Sequence, residues 1–421
     1  VVDPGEVGLV FEAGKPVELA VAAGDTAGNK PSAEQKFSFT YAPQQDKRGP
    51  RVASVTVGRP YLVDADFEQA LPPMESYSGE GGAVLTLDKS TAASGQGSLC
   101  LSNPTEWGRY GVRLVTEPFD AGIYRLVSFD YRIPPHYRGD FAVYVNGDWR
   151  AIKFTDSDTS VGYMGKVENV VADDQWHHAE FNLYDMLVAA DPRASSYIVR
   201  WFVLSDWGSR MSNFRRRTFW LDNLQIVPVS SSLEPLKVSV AAGDPGGLGG
   251  VAWLLDQLSV SAAPRNVQAD SATFEVPATG NNGQWWMHCR VADKAGNLSR
   301  GLDRRVLLDG ERPFASLIGP ADGGRAADSE VLMSLADRGI AGIDPSSIVL
   351  EVAGQKYTCE NSGLVYDASE RKLTWNCEKV QPEPVVFKDG QAVSVRLARA
   401  ADYTGNESED HPAWSWTMDY R

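Results

Sequence analysis

The chain has 421 residues, with 40 Lys+Arg against 55 Asp+Glu and a net charge of −15, a balance that argues against a nucleic-acid partner. Hydrophobic residues make up 43% and charged residues 23%, which excludes a disordered chain. Its length predicts several domains, and no apolar run is long enough to predict a membrane-spanning helix, so no membrane insertion is expected.

The chain opens on Val1-Val2-Asp3-Pro4, without a signal peptide. We expect a piece of a longer exported protein whose signal lies upstream or was removed. Residues 1–45 read as the C-terminal part of a module. Phe11 to Val21 is a turn followed by an alternating strand, Asp25-Thr26-Ala27-Gly28-Asn29 is a tight turn, and Phe37 to Tyr41 is a closing strand. We expect this module to lack its front strands here, cut away or supplied by another chain.

Residues 46–229 alternate short strands with Gly, Asp and Asn turns. Strands are expected at 83–87, 97–101, 111–115, 124–133, 141–145, 151–154, 177–183, 197–205 and 218–226, with one short helical turn at 183–190. Many short strands in one segment predict a two-sheet sandwich of the jelly-roll kind. In 141–145, Phe141, Val143 and Val145 share the core face, which leaves Tyr144 on the open face. Trp201 and Trp220 alternate with apolar neighbours and are expected in the core. Trp176-His177-His178 puts its two histidines on opposite faces, where they cannot easily chelate one metal. Arg215-Arg216-Arg217 reads as a solvated turn.

The remaining text is repetitive. The strand 387–397 leads to Asp402-Tyr403-Thr404-Gly405-Asn406, as 11–21 leads to Asp25–Asn29; Asp293-Lys294-Ala295-Gly296-Asn297 is a third copy. Asp46-Lys47-Arg48-Gly49-Pro50 and Asp309-Gly310-Glu311-Arg312-Pro313 each precede a short apolar strand. Asp244 with Gly249, and Asp337 with Gly342, mark a second shared turn. Boundaries are therefore placed near 46, 230 and 310, giving modules 1–45, 46–229, 230–309 and 310–421, with Ser230-Ser231-Ser232 as a linker. The Asp-x-x-Gly-Asn turn after an alternating strand resembles bacterial immunoglobulin-like domains. The expected fold class is all-β: tandem β-sandwiches, one larger jelly-roll plus immunoglobulin-like modules.

The stretch from Asp64 to Ile226, with Phe67-Glu68 near its start and Trp220-Leu221-Asp222 in its last strand, resembles the calcium-containing jelly-roll carbohydrate-binding modules of bacterial extracellular enzymes. That resemblance implies a structural Ca2+ held by Glu68 and Asp222, with Asp66 a further candidate. Asp88 opens a loop, Asp88-Lys89-Ser90-Thr91, that in such modules often contributes carbonyls. Calcium takes oxygen ligands of this kind. A sugar platform needs aromatic faces with polar groups at their edges. The candidates are Trp107, Arg109, Tyr110, Arg113, Tyr144, Trp149, Asp206 and Trp207.

Cys359 and Cys377 lie in strand-like surroundings of one module and are expected to be cross-strand disulfide partners, whereas Cys100 and Cys289 fall in different modules and read as free thiols. No nucleophile, phosphate-loop or zinc signature occurs, so no catalysis is expected within this segment. The expectation is a non-catalytic, extracellular or cell-surface protein that binds polysaccharide or glycan. One alternative is a structural or filament-forming protein whose first sandwich is completed by another copy. A weaker one is an accessory part of a parent polysaccharide-degrading enzyme.

Overall fold

In the computed structural model, residues 11–12, 14–21, 35–40, 47–76, 83–103, 111–155, 159, 161–206, 218–327, 330–360, 363–409 and 413–421 are described. The chain divides into two compact units. One comprises Val1–Gly58, Glu234–Ala278 and Gln284–Val306; the other comprises Arg59–Leu233, Thr279–Gly283 and Leu307–Arg421.

Strands β1 (Pro16–Val21) and β2 (Gln35–Thr40) pair as an antiparallel hairpin in the first unit, with Val17 opposite Phe39 and Leu19 opposite Phe37. Next comes β3 (Arg51–Val57). The central sandwich then runs through β4 (Val63–Ala65), β5 (Glu75–Ser76), β6 (Val84–Asp88), β7 (Ser98–Ser102), β8 (Gly111–Val115), β9 (Phe119–Asp120), β10 (Tyr124–Arg132), β11 (Asp140–Val145), β12 (Asp148–Lys153), β13 (Tyr163–Lys166), β14 (Trp176–Asn182), α1 (Leu183–Ala190), β15 (Ile198–Ser205) and β16 (Thr218–Ser231).

Two sheets face each other across this sandwich. In the first, β16 pairs with β10, which pairs with β14; the other side of β16 takes β4 and β7, and β6 adds to β7. The second has the order β13-β12-β11-β15-β8-β5, with β9 also on β15. Strand alternation fills the space between them: Val127, Phe129 and Tyr131 of β10 and Phe141 and Val143 of β11 are all 0% exposed. Phe129, Phe141, Phe154 and Tyr131 meet with ring centroids 5.2–6.0 Å apart, the spacing of edge and tilted aromatic pairs. The side chain of Asn182 caps α1 by accepting from Asp185 N, which fixes where that helix begins.

Strand β3, which the sequence placed at the head of the central module, pairs instead with β17 (Leu236–Gly243), with Val55 opposite Val240 and Val57 opposite Val238. β19 (Thr273–Val276) adds to the other edge of β17, and β18 (Leu248–Asp256) pairs with β20 (Gly283–Asp293). The alternation of β3 says only that one face is apolar; which sheet it joins is decided by a partner far away in sequence. Nor is 230–232 a linker: β16 runs on through Ser231, and Val229–Ser231 pairs parallel with the end of β21 (Leu302–Asp309).

A second sandwich closes the chain. β22 (Phe314–Gly319), β24 (Glu330–Ala336), β28 (Lys372–Asn376) and β27 (Leu364–Asp367) form one sheet; β23 (Arg325–Ala326), β30 (Trp414–Met418), β29 (Ala392–Arg399), β25 (Val349–Val352) and β26 (Gln355–Thr358) form the other. Val393, Val395 and Leu397 alternate inward from β29 against Trp375 and Trp416. The architecture is all-β throughout, as tandem sandwiches.

Candidate functional site

The face of the second central sheet turned away from the core carries an aromatic group. Phe141, Val143 and Val145 point into the core, so Ala142 and Tyr144 take the opposite face. Tyr144 pairs with Trp149 on β12 and with Trp201 on β15. The ring centroids are 5.4 Å apart for Tyr144–Trp149, 5.7 Å for Trp149–Trp201 and 6.5 Å for Tyr144–Trp201, and all three rings are half-buried.

Trp201 is a correction to the sequence reading, which put it in the core. Val199 of the same strand is fully buried, so simple alternation would bury Trp201 as well. A register shift opposite Tyr144 and Val145 inserts one residue into β15. Beyond it the frame reverses: Phe202 and Leu204 fill the core, and Trp201 turns to the face away from it.

Beside this group runs a second row, with Val203 opposite Ala142, Ala142 opposite Ala151 and Arg113 opposite both Val203 and Glu75; Val203, Ala142 and Ala151 are 0–3% exposed, so this row is covered. Arg113 lies 4.4 Å above the Trp201 ring and 3.1 Å from the Glu75 carboxylate. Lys153, two residues beyond Ala151 on the same face, sits 5.9 Å over Tyr163, whose hydroxyl donates to Asp140 Oδ2 at 2.7 Å. The three rings are tilted to one another by 56–82°, and the group is edged by a guanidinium, an ammonium, a phenol and a carboxylate; aromatic faces with polar groups at their edges are what sugar binding uses.

Among the proposed platform residues, Arg113, Tyr144 and Trp149 come together here. Asp206 lies just after β15 and is 2% exposed. Trp107, Arg109, Tyr110 and Trp207 lie outside the described residues, as do Arg215–Arg217 and the Asp25–Asn29 turn.

The four expected calcium ligands do not converge. Asp222 is 0% exposed; its Oδ2 accepts from Ala93 N (2.9 Å) and Ser94 N (3.1 Å), and its Oδ1 from Asn223 N (2.8 Å). Burial raises its carboxyl pKa against these amide donors. Glu68 Oε1 accepts from Gln96 N (2.7 Å) and Gly97 N (3.1 Å). Asp88 spends Oδ1 on Ser90 N and Oγ, and Oδ2 on Trp220 Nε1 at 2.9 Å; the Ser90 hydroxyl is the main cause of its lowered pKa. Asp66 Oδ1 accepts from Glu68 N. Glu68 and Asp222 thus grip one loop, residues 93–97, from its two ends. Donor hydrogens converge on oxygens that calcium would need, so the residues as arranged do not fit a calcium ion.

Among the described residues, the one group of three acidic or His/Cys ligand atoms lying within 4.8 Å of one another is Asp309, Asp337 and Asp402, all buried. These are the acids of three repeats noted in the sequence. Asp309 accepts from Glu311 N and Ala341 N, Asp337 from Gly339 N and Gly342 N, and Asp402 from Thr404 N and Asn406 N. Burial, with Asp337 and Asp402 as neighbours, pushes the Asp309 carboxyl up to about 6. Asn406 Nδ2 donates to Asp402 Oδ2 (2.8 Å) and Glu311 O (2.9 Å). In the other copy, Asn297 Nδ2 donates to Asp293 Oδ2 at 2.7 Å, and Gly296 and Gly405 sit at φ +87° and +94°. The Asp-x-x-Gly-Asn repeat is therefore a turn that satisfies its own polar groups.

Cys359 and Cys377 are not bridged; all four cysteines are free. Cys359 follows β26 and Cys377 follows β28, strands of different sheets, so they are not cross-strand neighbours. Burial raises the Cys359 thiol to about 12. His177 pairs with Asp173 and His178 with Asp130, each at 2.8 Å, on opposite sides of β14; Asp130, then Glu180, raises His178 to about 9.

The fold and this face define a class: a multimodular all-β chain of tandem sandwiches whose central sandwich carries a half-buried aromatic group on the sheet face away from its core. No family model matches the chain, and no curated protein matches it. Solved structures with some similarity include the glycoside hydrolase domain of Endo-D from Streptococcus pneumoniae R6 (12% identity, 55% of this chain and 36% of that one, TM-score 0.26). Others are the fibronectin(III)-like modules of CbhA from Clostridium thermocellum (13%, 46% and 91%, 0.24) and a β-1,2-glucanase from Parabacteroides distasonis (12%, 59% and 38%, 0.26). The chain thus spans little over a third of the length of the two enzymes. Similarities at these scores assign no activity to it.

Proposed function

We propose that the chain is a non-catalytic part of an extracellular multimodular protein, in which the central sandwich binds polysaccharide and the immunoglobulin-like modules act as spacers. The observation that carries this reading is the half-buried Trp149–Tyr144–Trp201 group on the sheet face turned away from the core, edged by Arg113, Glu75, Lys153 and Tyr163. Aromatic rings placed there contribute little to the core, which the other face of the same strands fills. Affinity electrophoresis against a panel of neutral and acidic polysaccharides tests it. Retardation by at least one polymer, lost in Trp149→Ala and Trp201→Ala variants that keep their melting temperature, is the expected result; migration unaffected by every polymer would remove the reading.

One observation favours a second reading, self-association. The β1–β2 hairpin exposes Leu19 (53%), Phe37 (52%) and Phe39 (48%) on one face. A two-stranded hairpin is marginal alone, and exposed apolar patches of this sort drive association. Sedimentation over a concentration series, with Phe37→Ser/Phe39→Ser as the control, separates the two: assembly abolished by the pair of substitutions supports it, and a monomer at all concentrations removes it.

A further inference from the structure

We propose that Lys89 supplies the cation of the central sandwich's edge loop, so that this sandwich folds without calcium at the Glu68–Asp222 position. Its ammonium donates to the carbonyl of Glu68, the residue whose carboxylate holds Gln96 N and Gly97 N. The fit is close. A Cβ on Gly97 would come within 2.8 Å of Lys89 Nζ and 2.4 Å of Phe67 O. Gly95, at φ +67°, lets the loop pass so near Glu68 that a Cβ would lie 2.1 Å from Oε1. Phe67 (φ 51°) and Asn223 (φ 48°) both adopt left-handed backbone beside the two acids, which turns the carboxylates toward the loop from opposite ends.

Charge and donors are therefore already assigned. A hard divalent ion needs several oxygens aimed at one point. Here Asp222 faces three amide hydrogens, Glu68 faces two, and the carbonyl beside Glu68 faces an ammonium. No three of Asp66, Glu68, Asp88 and Asp222 bring ligand atoms within 4.8 Å of one another. Lys89 acts by positioning the loop, its stem lying against Gly97.

The test is thermal unfolding of the full chain, untreated, with excess EDTA and with millimolar calcium, alongside Lys89→Met and Lys89→Arg. The expected result is a melting temperature insensitive to EDTA and calcium, a drop of about 3 °C in Lys89→Met, and little change in Lys89→Arg, which keeps a cationic donor. A fall with EDTA or a rise with calcium in the unsubstituted protein would overturn the proposal, as would a Lys89→Met variant melting like the parent. If Lys89→Met fails to fold, the EDTA and calcium arms on the unsubstituted chain still decide it.

Discussion

Trp201 and Trp220 show how a single residue's role depends on its neighbours across the sheet. Both are half-buried tryptophans, on strands that follow one another in the chain but belong to different sheets. Trp220 donates its indole N–H to Asp88 and lies under Arg132 at 4.8 Å, so its polar and cationic partners are internal. Trp201 packs with Tyr144 and Trp149 on the sheet face turned away from the core. For a polymer that retards the protein, Trp201→Ala should weaken binding by at least about tenfold, the scale of one lost aromatic contact. Trp220→Ala should leave affinity near the parent value while lowering the melting temperature. Gly95→Ala belongs to the same scale. It forces a side chain into a left-handed backbone position against Glu68, and should cost about 2 kcal/mol in chemical denaturation.

At the scale of an element, the Asp-x-x-Gly-Asn turns carry more than a change of chain direction. Asn406 is buried and ties Asp402, Glu311 and Ser231 together. Asn406→Ala would strand these groups and should destabilise by about 2–4 kcal/mol, read from denaturant midpoints. The adjoining Asp309 sets a pH dependence. Its folded pKa, about 6, lies above its ordinary value of 3.8, so the folded state holds the proton more tightly than the unfolded chain. This contribution therefore weakens the fold above pH 6 and recedes as pH falls from about 6 toward 4. The melting temperature should rise between pH 7.5 and 5.5, by a stability change of just under about 1 kcal/mol, and Asp309→Asn should lack that rise. The Asp triad was legible as three separate sequence repeats, Asp309, Asp337 and Asp402. Their convergence was not, because residues up to 93 positions apart meet only when β21, β24 and the turn after β29 are packed.

For the whole molecule, the thiols give a direct check. With Cys100, Cys289, Cys359 and Cys377 all free, a reductant should leave the melting temperature unchanged, and four thiols should titrate after denaturation without reduction. Fewer than four would indicate a bridge. Cys289, fully buried and with its thiol raised to about 12 by that burial, should react only once the chain unfolds.

Much of the fold was determined by the sequence alone, because it depends on local period and local chemistry. The alternation in Phe141–Val145 set its core face, the 183–190 stretch its helix, and the Asp-Gly-Asn spacing its turns; each is a property of residues close in the chain. What the tertiary structure decided were matters of partnership. β3 joins β17 rather than the central sheets, since an apolar face of two valines fits either. Trp201 reaches the platform because a bulge shifts the frame of β15, and a bulge depends on the strand opposite. The acids at Asp66, Glu68, Asp88 and Asp222 carry the pattern of a cation site in sequence. Glu68 and Asp222 instead accept amide hydrogens of the 93–97 loop, Asp66 accepts from Glu68 N, and Asp88 from Ser90 and the Trp220 indole. Sequence lists donors and acceptors; only packing assigns each to its partner.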